Sequence, residues 1–162
     1  MADEIPFRKE MAFEYGVPRE LFPGVARIVA NNPSPFTFKG TNTYLIGQGT
    51  DIALLDPGPE DEAHFDAIMR ATKGRRIASI LISHPHHDHI DGLARLKAAT
   101  GAKVFGYGRR ARNPGEKKPS PAGGESTDSD FIPDSPMVDG SRLEGDGFAV
   151  TALHTPGHAP DH

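Results

Sequence analysis

The amino-acid sequence predicts an α/β domain in which strands and helices alternate along the chain. Residues 77–82 (IASILI) form a continuous apolar run, which is typical of a strand covered on both faces. An amphipathic segment with an acidic first turn precedes this run and predicts a helix over about residues 60–73. A second helical segment follows over about residues 91–100 and ends at a glycine. The length of 162 residues suits one domain of ordinary size and is short for two.

Two strand regions are predicted before the first helix. Residues 1–20 are mostly polar and contain two prolines, so we expect an irregular lead-in. Residues 25–30 form a short β-branched run that predicts a strand, and residues 31–40 have the Pro and Gly content of a loop. Residues 42–46 and 51–55 are apolar runs separated by four turn residues, which predicts a hairpin.

Beyond the second helix, strands are predicted at residues 103–107 and 148–153. Between them, residues 109–130 contain no Val, Ile, Leu, Met or aromatic side chain. Such a segment buries too little apolar surface to offset the entropy lost on ordering, so we expect a polar, mobile insertion. The predicted organisation is therefore a lead-in at 1–20 and one domain at 21–162 that contains the insertion.

Composition excludes several classes of protein. The chain has no Cys, which removes disulfide frameworks, thiolate metal sites and cysteine nucleophiles. The net charge of −4 gives no sign of a polyanion partner. The charged N-terminus lacks the apolar stretch of a secretory signal, and no run is long enough to span a bilayer. We therefore expect a cytoplasmic protein without a membrane partner.

Histidine is concentrated at one place, since four of the eight histidines lie within residues 84–89, directly after the apolar strand. The carboxyl ends of strands are where α/β proteins usually bind ligands. His84 and His86 are two residues apart and can share a face, which supplies half of a tetrahedral metal site. Asp88 and His89 lie where the chain turns and can face a second metal. This mixture of nitrogen and oxygen ligands suits Zn²⁺, with Fe²⁺ or Mn²⁺ possible.

The alternative is an accidental, solvated histidine-rich tract. Such tracts usually occur at termini or in polar stretches, whereas this one lies between a buried strand and a helix and contains a single acid at a defined place. Three other histidines are not expected to bind the metal directly. We expect His87 to be exposed and His64 to lie on the polar surface of the first helix. His154 is expected either at a strand end or just outside the metal ligands, and His162 is given no role.

Residues 83–89 (SHPHHDH) resemble the HxHxDH signature of the metallo-β-lactamase superfamily. Residues 54–58 (LLDPG) and 154–158 (HTPGH) resemble two further motifs of that superfamily, in the same order. Residues 40–47 (GTNTYLIG) are similar to the opening strand of the β-lactamase-like protein 2 subgroup. The resemblance implies a four-layer αββα sandwich built from two similar halves, of which this chain resembles the first.

The resemblance also implies roles for individual residues. His84, His86 and His158 would bind one metal, and Asp88 and His89 would bind the second. Two Zn²⁺ per full-length chain would be expected, with Fe or Mn possible.

Asp56, in the LLDPG segment, would hold the histidine loop from outside the metal shell. On local sequence alone, an Asp before Pro-Gly could instead serve only the turn.

The implied function is a binuclear metal-dependent hydrolase, in which a bridging hydroxide attacks an ester, thioester or phosphodiester and Asp88 orients that hydroxide. The substrate would be a small-molecule ester or thioester, or single-stranded RNA. The family's last two metal ligands follow the HTPGH segment, and four residues remain after it in this chain. We therefore expect a truncated and inactive chain. The alternatives are a zinc-binding module without catalysis and a subunit that a partner completes, and the sequence leaves the oligomeric state open.

Overall fold

The computed structural model describes residues 10–107 and 131–162. Within this part of the chain, seven strands form one sheet and two further strands form a separate hairpin. The strands of the large sheet follow chain order: β1 (Arg19–Phe22), β2 (Val25–Val29), β3 (Asn42–Ile46), β4 (Asp51–Leu55), β5 (Arg76–Ile82), β6 (Lys103–Gly106) and β7 (Ser135–Pro136). The other elements are α1 (Glu62–Ala71), α2 (His87–Ile90), α3 (Leu93–Thr100) and the hairpin strands β8 (Arg142–Gly145) and β9 (Phe148–Thr151).

The large sheet is mixed. Strands β1 to β4 are antiparallel neighbours, whereas β4 to β7 are parallel. Parallel neighbours need crossover connections, and here α1 joins β4 to β5 while α2 and α3 join β5 to β6. The α/β class and the hairpin over residues 42–55 are confirmed.

Side chains alternate along each strand, so each face of the sheet carries its own set of apolar residues. Both faces are covered by other elements. Ile52 and Leu54 of β4, with Ile80 of β5, lie on the face that packs against α1 and α3. Ala53 and Leu81 lie on the opposite face, in a second cluster that includes apolar residues of the β8–β9 hairpin. The described chain thus stacks a helix layer, a large sheet and a small sheet, in agreement with the first layers of the expected sandwich.

The prediction for His64 is wrong, because this side chain is buried and only 3% exposed. Its position in α1 is one turn before Ile68, so it continues the inward stripe rather than the polar face. Its Nε2 lies 2.9 Å from the Thr43 hydroxyl of β3, which pairs one ring nitrogen across the helix–sheet boundary. Burial lowers the pKa of His64, an effect that Asp61 opposes.

Sequence reasoning missed three strands and one helical turn. β1 begins at Arg19, at the end of the predicted irregular lead-in, and β7 and β8 are short strands of two and four residues. The predicted insertion at 109–130 lies outside the described residues, as do residues 1–9. No helix in the described ranges is long and apolar enough to cross a membrane.

Candidate metal centre

The centre is built at the carboxyl end of β5, where the predicted histidine loop begins. His86 has an extended backbone and immediately precedes α2. This places the rings of His84 and His86 side by side, with centroids 4.5 Å apart. His84 Nε2 lies 3.0 Å from His86 Nδ1, and both side chains are buried.

His158 reaches the same point from the segment that follows β9. Its ring centroid lies 4.9 Å from that of His84 and 4.6 Å from that of His86. One nitrogen of each of the three rings lies within 4.8 Å of the other two. The structure therefore brings together the three residues expected at the first metal, two of them buried and His158 exposed.

Asp88 and His89 lie beside this triad on the single turn of α2. The His89 ring centroid is 4.3 Å from that of His84. Asp88 Oδ2 lies 3.3 Å from His89 Nε2, and both side chains keep partial access to solvent. The second pair of expected ligands is thus adjacent to the first set.

Asp56 connects the end of β4 to the histidine loop. Its carboxylate is buried and accepts three hydrogen bonds: from the Ser83 amide at 2.8 Å, the Ser83 hydroxyl at 2.7 Å and His89 Nδ1 at 2.8 Å. The residue has φ 56°, a left-handed conformation that Asp and Asn tolerate better than most side chains. Asp56 therefore does more than form a turn, because it binds both the start of the histidine loop and a predicted ligand.

These bonds show that Nδ1 is the protonated nitrogen in two of the rings. The Ser83 hydroxyl has one proton and donates it to the Asp56 carboxylate, so its oxygen accepts from His84 Nδ1, 2.9 Å away. His89 likewise donates Nδ1–H to Asp56. Nδ1 of each ring therefore carries a proton, and when the ring is neutral Nε2 is the nitrogen that can bind a metal.

The electrostatic environment of His84 favours a neutral ring. Burial, together with the charges that His89, His86, His158 and His162 would carry, lowers the pKa of His84 to about 3. A neutral ring is a metal ligand, whereas a protonated ring is not. The donor set, with a neutral His84 among its ligands, therefore fits a divalent metal such as zinc.

The other histidines have different surroundings. His87 is partly exposed, as expected, and pairs with Asp91 at 2.7 Å. His154 stacks on Tyr107, with ring centroids 4.4 Å apart. Sequence reasoning missed His162, whose ring centroid lies 5.0 Å from that of His84. The only sequence signal for its position beside the site is that it is a histidine.

Comparison with known proteins gives three kinds of match. The sequence profile described as the metallo-beta-lactamase superfamily matches residues 36–162. A beta-lactamase-like protein 2 homolog from Drosophila melanogaster is 35% identical over 146 residues, which cover 85% of this chain and 47% of that protein. An atrochrysone carboxyl ACP thioesterase from Passalora fulva is 33% identical over 149 residues, which cover 88% of this chain and 38% of that protein. The chain thus spans less than half the length of these curated relatives.

Solved structures match the fold. A metallo-beta-lactamase from Cronobacter sakazakii is similar with a TM-score of 0.67 and 28% identity, over 90% of this chain and 57% of that one.

Proposed function

The chain belongs to the metallo-beta-lactamase superfamily, and on this premise we propose that it carries the first part of the metal centre of a metal-dependent hydrolase. The observation that carries the proposal is the convergence of three imidazoles, His84, His86 and His158, from two segments far apart in sequence. Three protein ligands with an open fourth position are the usual arrangement of a catalytic zinc site. Iron and manganese are the other candidates for this ligand set.

The two metal positions are unequal in our proposal. The first has three nitrogen ligands within this chain. The second has Asp88 and His89, and two protein ligands seldom hold a metal against water. Completion of the second position would need at least one further ligand, which agrees with the greater length of the relatives.

When bound, a pair of such metals would supply Lewis-acid chemistry and an activated water nucleophile. The chain's own residues would prepare the site for it. Asp56, directly and through Ser83, would keep the Nε2 atoms of His89 and His84 unprotonated and oriented. The Asp88 carboxylate would accept a hydrogen bond from the attacking water and so fix its direction toward the substrate.

We propose an ester or thioester of a small molecule as the substrate. Several relatives at about 30% identity are named as atrochrysone carboxyl ACP thioesterases, which favours acyl transfer to water. Single-stranded RNA remains the other substrate class suggested by the sequence motifs. The net charge of −4 gives it no support from electrostatic attraction.

A second candidate is a zinc-binding module without catalysis. It is favoured by one observation, that only the first position has three ligands within the described residues. The two functions differ in metal stoichiometry and turnover.

The test is to express the complete reading frame and titrate it with Zn²⁺, then assay hydrolysis of a generic acyl thioester, a lactone and a single-stranded RNA. Two metals per chain with thioester or lactone turnover would support the hydrolase and its proposed substrate class. RNA cleavage alone would support the hydrolase and overturn that class. One tightly bound metal and no turnover of any substrate would support the binding module.

A further inference from the structure

Asp88 receives a hydrogen bond from a residue far from the histidine loop in sequence. The Thr41 hydroxyl donates to Asp88 Oδ2 at 2.6 Å across a separation of 47 residues. Thr41 is only 4% exposed, so the donor end of this bond is buried, whereas the Asp88 side chain keeps partial access to solvent. A short hydrogen bond to a carboxylate is among the stronger hydrogen bonds in proteins.

Asn32 sets the direction of this bond. Its side-chain amide donates to Thr41 Oγ1 at 3.1 Å, and its carbonyl oxygen accepts from the Thr41 amide at 2.9 Å. A hydroxyl has a single proton, and the contact with the Asn32 amide uses a lone pair of the Thr41 oxygen. The proton is therefore committed to Asp88.

The backbone around Thr41 is fixed as well. Gly40 has φ 131°, and a Cβ there would collide with the carbonyl oxygen of Ala30, so only glycine allows this close approach. The Ala30 amide in turn donates to the Thr41 carbonyl at 2.9 Å. The Thr37 hydroxyl donates to the backbone carbonyl of Asn32 at 2.6 Å, a bond within the same loop.

We propose that Thr41 is a positioning residue which, held by Asn32, fixes the carboxylate of Asp88 for the second metal. Its bond anchors Oδ2, the oxygen that also lies 3.3 Å from His89 Nε2, and so sets the orientation of the whole carboxylate. This inference rests on the proposed role of Asp88 as a metal ligand. It adds that the loop before β3, outside the histidine motif, controls the second metal position.

The test compares Thr41→Val, which keeps the shape and removes the hydroxyl, with Thr41→Ser, which keeps the hydroxyl. The protein expressed from its complete reading frame is titrated with Zn²⁺ by calorimetry. Thr41→Val should weaken the second metal by about 10–100-fold, the usual effect of removing an outer hydrogen-bond partner, and leave the first unchanged. Thr41→Ser should restore the second affinity.

Thr72→Val is the matched control. Thr72 is also 4% exposed, and its hydroxyl bonds only within the end of α1, to the Met69 carbonyl at 2.9 Å. It should change neither metal affinity. Asn32→Ala provides a second route to the same effect if Thr41→Val folds poorly, as judged by circular dichroism.

Equal second-metal affinity in the wild type and a folded Thr41→Val or Asn32→Ala variant would overturn the positioning role while the proposed hydrolase stands. Loss of both metals together in Thr41→Val, without recovery in Thr41→Ser, would mean a structural role and would also overturn it. A wild-type protein that binds only one metal would overturn the binuclear function and this inference with it.

Discussion

The substitution Asp56→Asn tests how the histidine loop is prepared for metal. It keeps the size of the side chain and the left-handed backbone of residue 56, which Asn also tolerates. It replaces one acceptor oxygen by an NH₂ donor. At this position three donors converge, from the Ser83 amide, the Ser83 hydroxyl and His89 Nδ1.

Neither orientation of the new amide satisfies all three donors. If NH₂ faces the Ser83 amide, two donors oppose each other directly. If NH₂ faces the Ser83 hydroxyl and His89, the hydroxyl accepts from it and turns its proton toward His84 Nδ1. The protons of His84 and His89 then move to Nε2, the nitrogen that should bind metal.

The cost of metal binding follows from this conflict. Binding requires the original tautomers and therefore leaves at least one buried donor unmatched, which costs about 1–3 kcal/mol. At about 1.4 kcal/mol per tenfold change, affinity for Zn²⁺ should fall by roughly 5- to 150-fold. Asp61→Asn is the control variant for the loss of one negative charge. Asp61 caps α1 by accepting from the His64 amide at 2.7 Å, and Asn serves equally well as a cap.

Two measurements check the prediction on the chain of 162 residues. Calorimetric Zn²⁺ titration gives the affinity, and ¹⁵N ring shifts give the histidine tautomers directly. In the metal-free wild type, His84 and His89 should carry the proton on Nδ1, and in Asp56→Asn on Nε2. Unchanged affinity and tautomers in a folded Asp56→Asn variant would refute the reasoning.

Three further predictions concern ligands, burial and the insertion. The chain of 162 residues should bind about one Zn²⁺, and binding should weaken below pH 6. Zn²⁺ titration should show that His84→Ala and His158→Ala each abolish binding, whereas Asp88→Ala does not. Tight binding of two ions would contradict this prediction. Because burial lowers the pKa of His64, stability present above pH 6.5 is lost as the pH falls and the unfolded chain takes up the proton. Urea denaturation at pH 7 and pH 5 should therefore show a smaller loss in His64→Leu than in the parent, and an equal loss would contradict it. Replacing residues 109–130 by a short Gly/Ser linker should change the free energy of unfolding by less than about 1 kcal/mol, and a larger loss would show that the segment packs.

Local sequence patterns predicted the elements whose own residues carry a clear hydrophobic or turn pattern. The hairpin of β3 and β4 has apolar strands on both sides of a four-residue turn, and the structure gives the predicted bounds. β8 has no such signal, because Leu143 is its only large apolar residue and the strand exists through its pairing with β9. His64 was misplaced for a related reason, since its environment depends on Thr43 from another strand.

In the candidate site, too, some contacts could be predicted from local sequence and others could not. His84 and His86 could be predicted to lie together because two alternate residues at a strand exit share a face. Thr41 and Asn32 could not, because their relation to Asp88 arises only when the loop before β3 folds over the turn of α2. The tautomers of His84 and His89 also required the structure, since they depend on which atoms of Asp56 and Ser83 are in reach.

The first metal position combines a rigid side and an adaptable side. His84 is buried and fixed through Ser83 and Asp56, whereas His158 is exposed and follows an exposed glycine, Gly157. His84 Nε2 faces His86 Nδ1 at 3.0 Å, so one nitrogen of that pair can be satisfied by the other. His84, His86 and His158 would together hold a bound ion. We therefore expect metal binding to order the segment after β9 more than the histidine loop, because the loop is already held by the Asp56 hydrogen bonds.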